Sequence, residues 1–349
     1  VSTSRQCSVI RLCTHFGYFA LSDEYYDSVI SWQQRRHGVT GLERGNIGYE
    51  NGVLGGVSSA IQALTCPGDR ILVHAPTYVG FTGTAARTGR VLVHSDLKRD
   101  GSGIWRMDFE DMDRKIKENG IKTVIFCSPH NPCGRVWERW EIEKAMEVYA
   151  SNNCFVISDE IWSDIIMPGS RHIPTQSISG DAKNRTAAFY SPSKGFSLAG
   201  LTGSYHIIYN DYLKNRVTRQ GELSLYNSCN VLSMHGLIGA YSKDGEEWLE
   251  EMTETVYGNL RKSCEFFNSI PGVRVMLPQG TYMLFLDCGE YCREQNIPIK
   301  ELQHRGVRCG VIWQDGESFM WPDSIRMNLA LPESLLDEAL SRLKEKVFI

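Results

Sequence analysis

The sequence predicts an α/β protein, with a large unit built on a mainly parallel sheet and a smaller α+β unit after it. Three observations carry this expectation. Four short runs, RILVHAP (70–76), RVLVHSD (90–96), KTVIFCSP (122–129) and CFVISDE (154–160), are apolar nearly throughout rather than alternating. Strands covered on both faces read this way. Helical segments lie between most of them, as connections between parallel strands require. From about residue 246 the order changes to a long helix, strand-like runs and a terminal helix, which suits an α+β appendage.

The elements follow in order. SDEYYDSVISWQQRRH (22–37) opens with a Ser22 cap and an acidic first turn, then carries apolar residues at helical spacing. NGVLGGVSSAIQAL (51–64) begins with glycines and continues as a helix stopped by CPGD (66–69). FEDMDRKIKENG (109–120) is a helix ending at glycine, and WEIEKAMEVYASNN (140–153) is another. The long acidic, amphipathic helix spans 246–270, a solvated face over a core stripe. VRVML, TYMLFLDC and the helix 332–347 follow it. The expected division is a shortened N-terminal segment over 1–17 associated with the small domain, a large domain over 18–245 and a small one over 246–349.

The totals exclude several classes. A net charge of −4 with no basic run argues against nucleic acid. No stretch approaches the ~18–20 uninterrupted apolar residues that a membrane helix needs, and the first ten residues lack an apolar signal core. The 11 cysteines are scattered, odd in number and never spaced CxxC, which fits reduced thiols in a cytoplasmic protein without a structural metal. His130 and His172 have no partner at ligand spacing, and His130 is better suited to positioning the loop that carries Asn131.

Chemistry collects where strands end, the place where open α/β sheets bind ligands. NGVLGG (51–56) puts glycines at a loop-to-helix junction, whose free N–H groups favour an anion. APTY (75–78) supplies an aromatic ring, SPHNPCGR (128–135) an amide, ISDE (157–160) carboxylates and SPSK (191–194) an amine. Each is ordinary alone: a turn, a core ring, a solvated acid or a surface lysine. One cofactor asks for the whole set. Pyridoxal phosphate (PLP) has a phosphate, a flat ring, a phenolic oxygen, a pyridine nitrogen held protonated by an acid, and an aldehyde that takes a lysine.

The ordered set NGVLGG, PTY, HNPCGR, SDE and SPSKGF resembles the aminotransferase-type (fold-type I) PLP-dependent enzymes from about Tyr18 to the C-terminus. HNPCGRVW, SDEIWSDI followed by RHIP, SKGFSLAGLTGSY, GTYMLFLD (280–287) and FGY (16–18) before EYYDSVISWQQRRHG narrow the likeness to MalY/PatB-type cystathionine β-lyases. The resemblance implies a PLP-transferase fold and a role for each matched residue. Lys194 would be the Schiff-base lysine and proton shuttle, Asp159 the partner of the ring nitrogen, and Asn131 the donor to the phenolic oxygen. Tyr78 would stack on the ring. Gly52, Val53 and Leu54, with Ser191 and Ser193, would hold the phosphate. Tyr18 would reach the phosphate of a second copy, making a homodimer with a shared active site, and Arg326 would grip the substrate carboxylate with its fork.

Three departures accompany the likeness. Many aminotransferases carry a basic residue eight positions after the lysine; here that position is Thr202, as in the MalY-type pattern. Trp162 stands at the cofactor-side position where most relatives have tyrosine or histidine, and an indole donates but neither accepts nor ionises. The family also has an ADMDF-like pocket motif ahead of the FGY stretch, which this sequence starts too late to include. Three functions stay open: a C–S β-lyase acting on cystathionine or a related cysteine S-conjugate, an aminotransferase using an amino acid and a 2-keto acid, and a non-catalytic PLP-fold protein. The lysine and aspartate serve both reactions alike; the LTG after the lysine favours the lyase.

Overall fold

The computed structural model describes residues 19–349; Tyr18 and the segment 1–17 lie outside the described residues. The large sheet has seven strands: β1 (Ile47–Asn51), β2 (Arg70–Ala75), β3 (Val91–Asp96), β6 (Thr123–Cys127), β7 (Phe155–Asp159), β8 (Thr186–Tyr190) and β9 (Gly203–Ile207). Their spatial order is β1-β9-β8-β7-β6-β2-β3. β2 pairs in parallel with β3 and β6, as do β6 with β7 and β7 with β8, while β9 is antiparallel to both β8 and β1. A small ribbon, β4 (Lys98–Arg99) with β5 (Trp105–Arg106), lies outside this sheet.

The apolar runs are unbroken because both faces of the sheet are covered. Side chains alternate between faces along a strand. Ile71, Val73, Ile125 and Ile157 join one core with Val57, Ala60 and Ile61 of the helix Val53–Leu64. Leu72, Val124, Phe126 and Val156 join another with Met112 and Ile116 of helix Phe109–Asn119 and with Ile142, Ala145 and Tyr149 of helix Arg139–Ser151. The expected caps are in place: the Tyr25 N–H bonds to the Ser22 hydroxyl at 3.2 Å, and Gly120 takes a left-handed φ of 62°.

The C-terminal part holds a three-stranded antiparallel sheet, β10 (Met283–Asp287), β12 (Ser324–Asn328) and β11 (Gln314–Asp315), in that order. Helices Lys243–Asn268 and Glu333–Lys346 share a core with it: Leu260 and Phe267 pack with Leu284, Ile325, Leu336 and Leu343. The same core takes in Tyr25, Val29 and Trp32 of helix Asp23–His37 and Tyr190 and Tyr205 of the large sheet. VRVML forms no strand. It makes one bridge from Arg274 to Asp287, and the Asn268 side chain satisfies both the N–H and the carbonyl of Val275 at 3.0 and 3.1 Å.

Strand ends align along one rim. Cys127 pairs with Asp159, and Asp159 with Phe189, two residues before Ser191. Helix Val53–Leu64 reaches the sheet closely enough that a Cβ on Gly56 would lie 2.4 Å from the ring of buried Phe189. We therefore expect Gly56→Val to lower unfolding stability by about 1–3 kcal/mol through overpacking. Urea denaturation reads this directly.

Candidate active site

A cavity of about 280 Å³ opens at that rim, and every described residue expected at the site lines it. The loops after β2, β6 and β8 bring Tyr78, Asn131 and the serines with Lys194; β7 brings Asp159; β12 of the small sheet brings Arg326. Thr202 and Trp162 are there too.

At one end lies the start of helix Val53–Leu64. Gly52 caps it at φ 79°, a left-handed conformation that favours glycine. The N–H groups of Val53 and Leu54 have no intrahelical carbonyl to bond, and the helix dipole adds partial positive charge there. Ser191 Oγ donates to the Gly203 carbonyl at 2.7 Å and accepts the Ser193 N–H at 3.1 Å, which fixes the serine loop beside the helix start. The Ser193 hydroxyl has no partner among the described residues.

Tyr78 takes its place through its neighbours. Its ring meets Phe81 edge-on at 5.5 Å, and a Cβ on Gly80 would fall 2.3 Å from it. His130 ties this loop to the next, its Nε2 lying 2.7 Å from the Pro76 carbonyl. The nitrogen facing a carbonyl must carry the proton, and burial pushes the imidazolium pKa down to about 4. Asn131 is thereby held over the cavity. Arg326 Nη1 donates to its Oδ1 at 2.8 Å, so its NH2 remains available as a donor.

Sequence reasoning missed Gln314. Its Oε1 accepts from Arg326 Nε at 2.8 Å and also from Nη2. Register explains this, since Gln314 pairs directly with Arg326 across β11 and β12; no local pattern announces it. The guanidinium lies 4.4 Å over the Phe319 ring, and burial pushes its pKa down to about 10. With Asn131 on one side and Gln314 on the other, the fork keeps one N–H on each terminal nitrogen for a ligand.

The two acids of ISDE part company. Burial holds the Asp159 carboxyl up at about 6, against the N–H of Ile161 at 3.1 Å and the charge of Lys194, which both pull it down. Glu160 points away from the cavity: His172 and Tyr190 bond to its Oε2 at 2.8 Å each, and Ser158 to Oε1 at 2.9 Å. Burial raises its pKa, but these bonds outweigh burial and hold it below the usual range. Lys194 is half-buried, and desolvation lowers its pKa more than Asp159 raises it; Arg326 lowers it further. Its ammonium lies 5.3 Å from the Trp162 ring, which meets Tyr282 edge-on at 4.6 Å.

Comparison with known proteins agrees with this arrangement. The model of the family described as aminotransferase class I and II matches residues 7–343, and the chain belongs to that family. Cystathionine beta-lyase PatB of Bacillus subtilis is 31% identical over 94% of this chain and 84% of its own length. Protein MalY of Escherichia coli is 27% identical over 94% and 83%. Among solved structures, cystalysin from Treponema denticola, which contains a pyridoxal 5'-phosphate cofactor, superposes with a TM-score of 0.91 at 28% identity, covering 97% of this chain and 85% of that one. The PLP-bound C–S lyase from Staphylococcus hominis gives 0.89 at 28% identity, over 99% and 86%.

The residues fit PLP. The cavity offers a carboxyl out of water that lacks a cationic hydrogen-bond partner, an amide with its donor end open, a ring, unbonded helix N–H groups and a desolvated amine. A ring N–H would meet the first of these needs.

Raising Asp159 from an ordinary 3.8 to about 6 has a thermodynamic sign. The folded, cofactor-free chain binds this proton more tightly than the unfolded chain, so ionisation costs stability increasingly as pH rises through that window. Asp159→Asn is expected to stabilise the cofactor-free protein by up to about 3 kcal/mol at about pH 8. The gain should shrink toward about pH 4, as urea titrations at the two pH values would record.

Proposed function

We propose that the chain is a PLP-dependent C–S β-lyase that releases thiol, pyruvate and ammonia from cystathionine or a related cysteine S-conjugate. The observation carrying this reading is Thr202 at the cavity wall, where many aminotransferases place a cation. The likeness to two named lyases over nearly the whole chain supports it.

When bound, the cofactor supplies an electron sink for charge developing at the substrate α-carbon. The protein does the positioning. Gly52, Val53, Leu54, Ser191 and Ser193 would hold the phosphate, Tyr78 and Trp162 would flank the ring, and Asn131 would donate through its NH2 to the phenolic oxygen. Asp159, as carboxylate, would keep the ring nitrogen protonated. Lys194 would anchor the aldehyde; once substrate displaces it, its amine takes the α-proton. Desolvation suits it to that task by favouring the neutral amine. Arg326 binds the substrate carboxylate through the N–H groups that Asn131 and Gln314 leave free. The proton on Lys194 Nζ is then within the cavity for the departing thiolate.

The active unit is read as a homodimer. Leu223, Leu225 and Leu232 are exposed at 71%, 69% and 52%, and the carbonyls of Leu225 and Ser228 accept from the Asn51 side chain next to Gly52. Apolar surface of this kind marks an interface. Tyr18 of a second copy would reach the phosphate there. A cytoplasmic location agrees with the free cysteines, and no described helix is long and apolar enough to cross a membrane.

Incubation with cystathionine and no added keto acid should yield pyruvate and thiol in equal amounts. Lys194→Ala should lower the rate by at least about a thousandfold and abolish the cofactor's visible absorption band. Amino transfer that depends on a keto acid, without pyruvate or thiol, would overturn the assignment in favour of an aminotransferase. Cofactor binding with no turnover at all would favour the non-catalytic reading.

A further inference from the structure

A second and larger cavity, of about 590 Å³, lies behind the same strand ends. Its position follows from the alternation of side chains at the ends of β7 and β8. Asp159 and Ser191 face the first cavity. Their chain neighbours Glu160 and Tyr190 turn the other way, where Tyr190 lines the second cavity and its hydroxyl donates to Glu160 Oε2 at 2.8 Å. Adjacent residues of one segment, Tyr190 and Ser191, thus line the two cavities.

The lining has an unbalanced charge. Arg139, Arg171 and Lys183 line the cavity, and no carboxylate is among its described lining residues. Arg139 is paired with Glu143 at 3.6 Å. Arg171 and Lys183 have no carboxylate partner among the described residues; Lys183 only rests 4.0 Å from the Tyr209 ring.

Two histidines complete the lining, and each is anchored at one nitrogen. His172 Nε2 lies 2.8 Å from Glu160 Oε2, and His37 Nε2 lies 3.1 Å from Asp164 Oδ1. A carboxylate at Nε2 keeps the proton there and turns Nδ1 away from it. His172 is 4% exposed, and its Nδ1 is buried without a partner among the described residues. That nitrogen therefore keeps a lone pair, which accepts from an O–H or N–H donor and offers no proton to an anion. The two imidazoles meet edge-on at 5.2 Å.

We propose that this cavity is a second ligand site, for a small polyanion carrying phosphate or paired carboxylates. Arg171 and Lys183 neutralise its charge, with Arg139 beside them in the lining. Occupancy reaches the first cavity through Glu160 and Tyr190, which are joined by one peptide bond each to Asp159 and Ser191.

The test uses the PLP-loaded enzyme, so that the first cavity's phosphate position is already filled. Inorganic phosphate and succinate are titrated separately by calorimetry in chloride-free buffer. Saturable uptake of one equivalent per chain is expected, and the better binder separates a phosphate from a dicarboxylate ligand. The double variant Arg171→Ala/Lys183→Ala should retain the cofactor spectrum and lose about tenfold or more in affinity. Absence of saturable uptake at millimolar ligand, or affinity unchanged in the double variant, would overturn the site. In the wild type, saturating ligand should shift the cofactor's visible band. A band indifferent to saturating ligand would overturn the link between the cavities.

Discussion

A carboxyl group held out of water at the tip of β7 sets the terms for the rest of the cavity. Asp159 is 3% exposed, and one backbone N–H is the sole hydrogen-bond partner of its carboxyl among the described residues. Keeping such a group ionised demands nearby positive charge, and the fold supplies two cations, Lys194 and Arg326, from different layers. Each is itself desolvated, so neither sits at its ordinary pKa. Under the proposed function, a cationic ring nitrogen would resolve the conflict by giving the carboxylate a direct partner. The protein has stored an electrostatic demand in a rigid sheet, and the cofactor is what meets it.

Rigidity comes from the sheet's two covered faces. Because Ile125 and Ile157 pack one way while Val124 and Val156 pack the other, a slip of one residue would exchange both cores at once. Register is thus fixed over the strands that carry Asp159 and the loops with Asn131 and Lys194. Buried ties then lock the loops: His130 to the Pro76 carbonyl, and Arg135 to Glu141 and the Trp105 carbonyl.

Much of this was legible in the sequence, for a physical reason. Strands buried on both faces write themselves as apolar runs, and the residues that follow such runs stand at the ligand rim. Asp159, Asn131 and Tyr78 end or follow such runs; Lys194 was legible from its SPSK motif, while the strand before it, TAAFY (β8), was not. β1 and β9 were not, because their runs IGYEN and GSYHI look like loops. Glu50 and His206 are buried in them, and each makes the other tolerable: His206 Nδ1 lies 2.7 Å from Glu50 Oε1, across from Gly48, whose missing side chain leaves room for the ring. Gln314 was illegible because its role arises from pairing across strands. The separate orientation of Glu160 was equally hidden; only the fold shows which acid of a pair turns inward.

The hydrogen bond from Arg326 to Asn131 joins residues 195 positions apart, one on β12 of the small sheet and one in the loop after β6. It divides the labour of the site between two parts of the chain that can be inherited on different terms. Residues bearing on the cofactor come from the large sheet and its loops, where any change disturbs two cores. The short edge strand Gln314–Asp315 touches only β12 in its sheet and lies largely at the surface. Under the proposed function, a change along that edge would alter the fork that Arg326 offers a carboxylate and leave the residues around the cofactor in place.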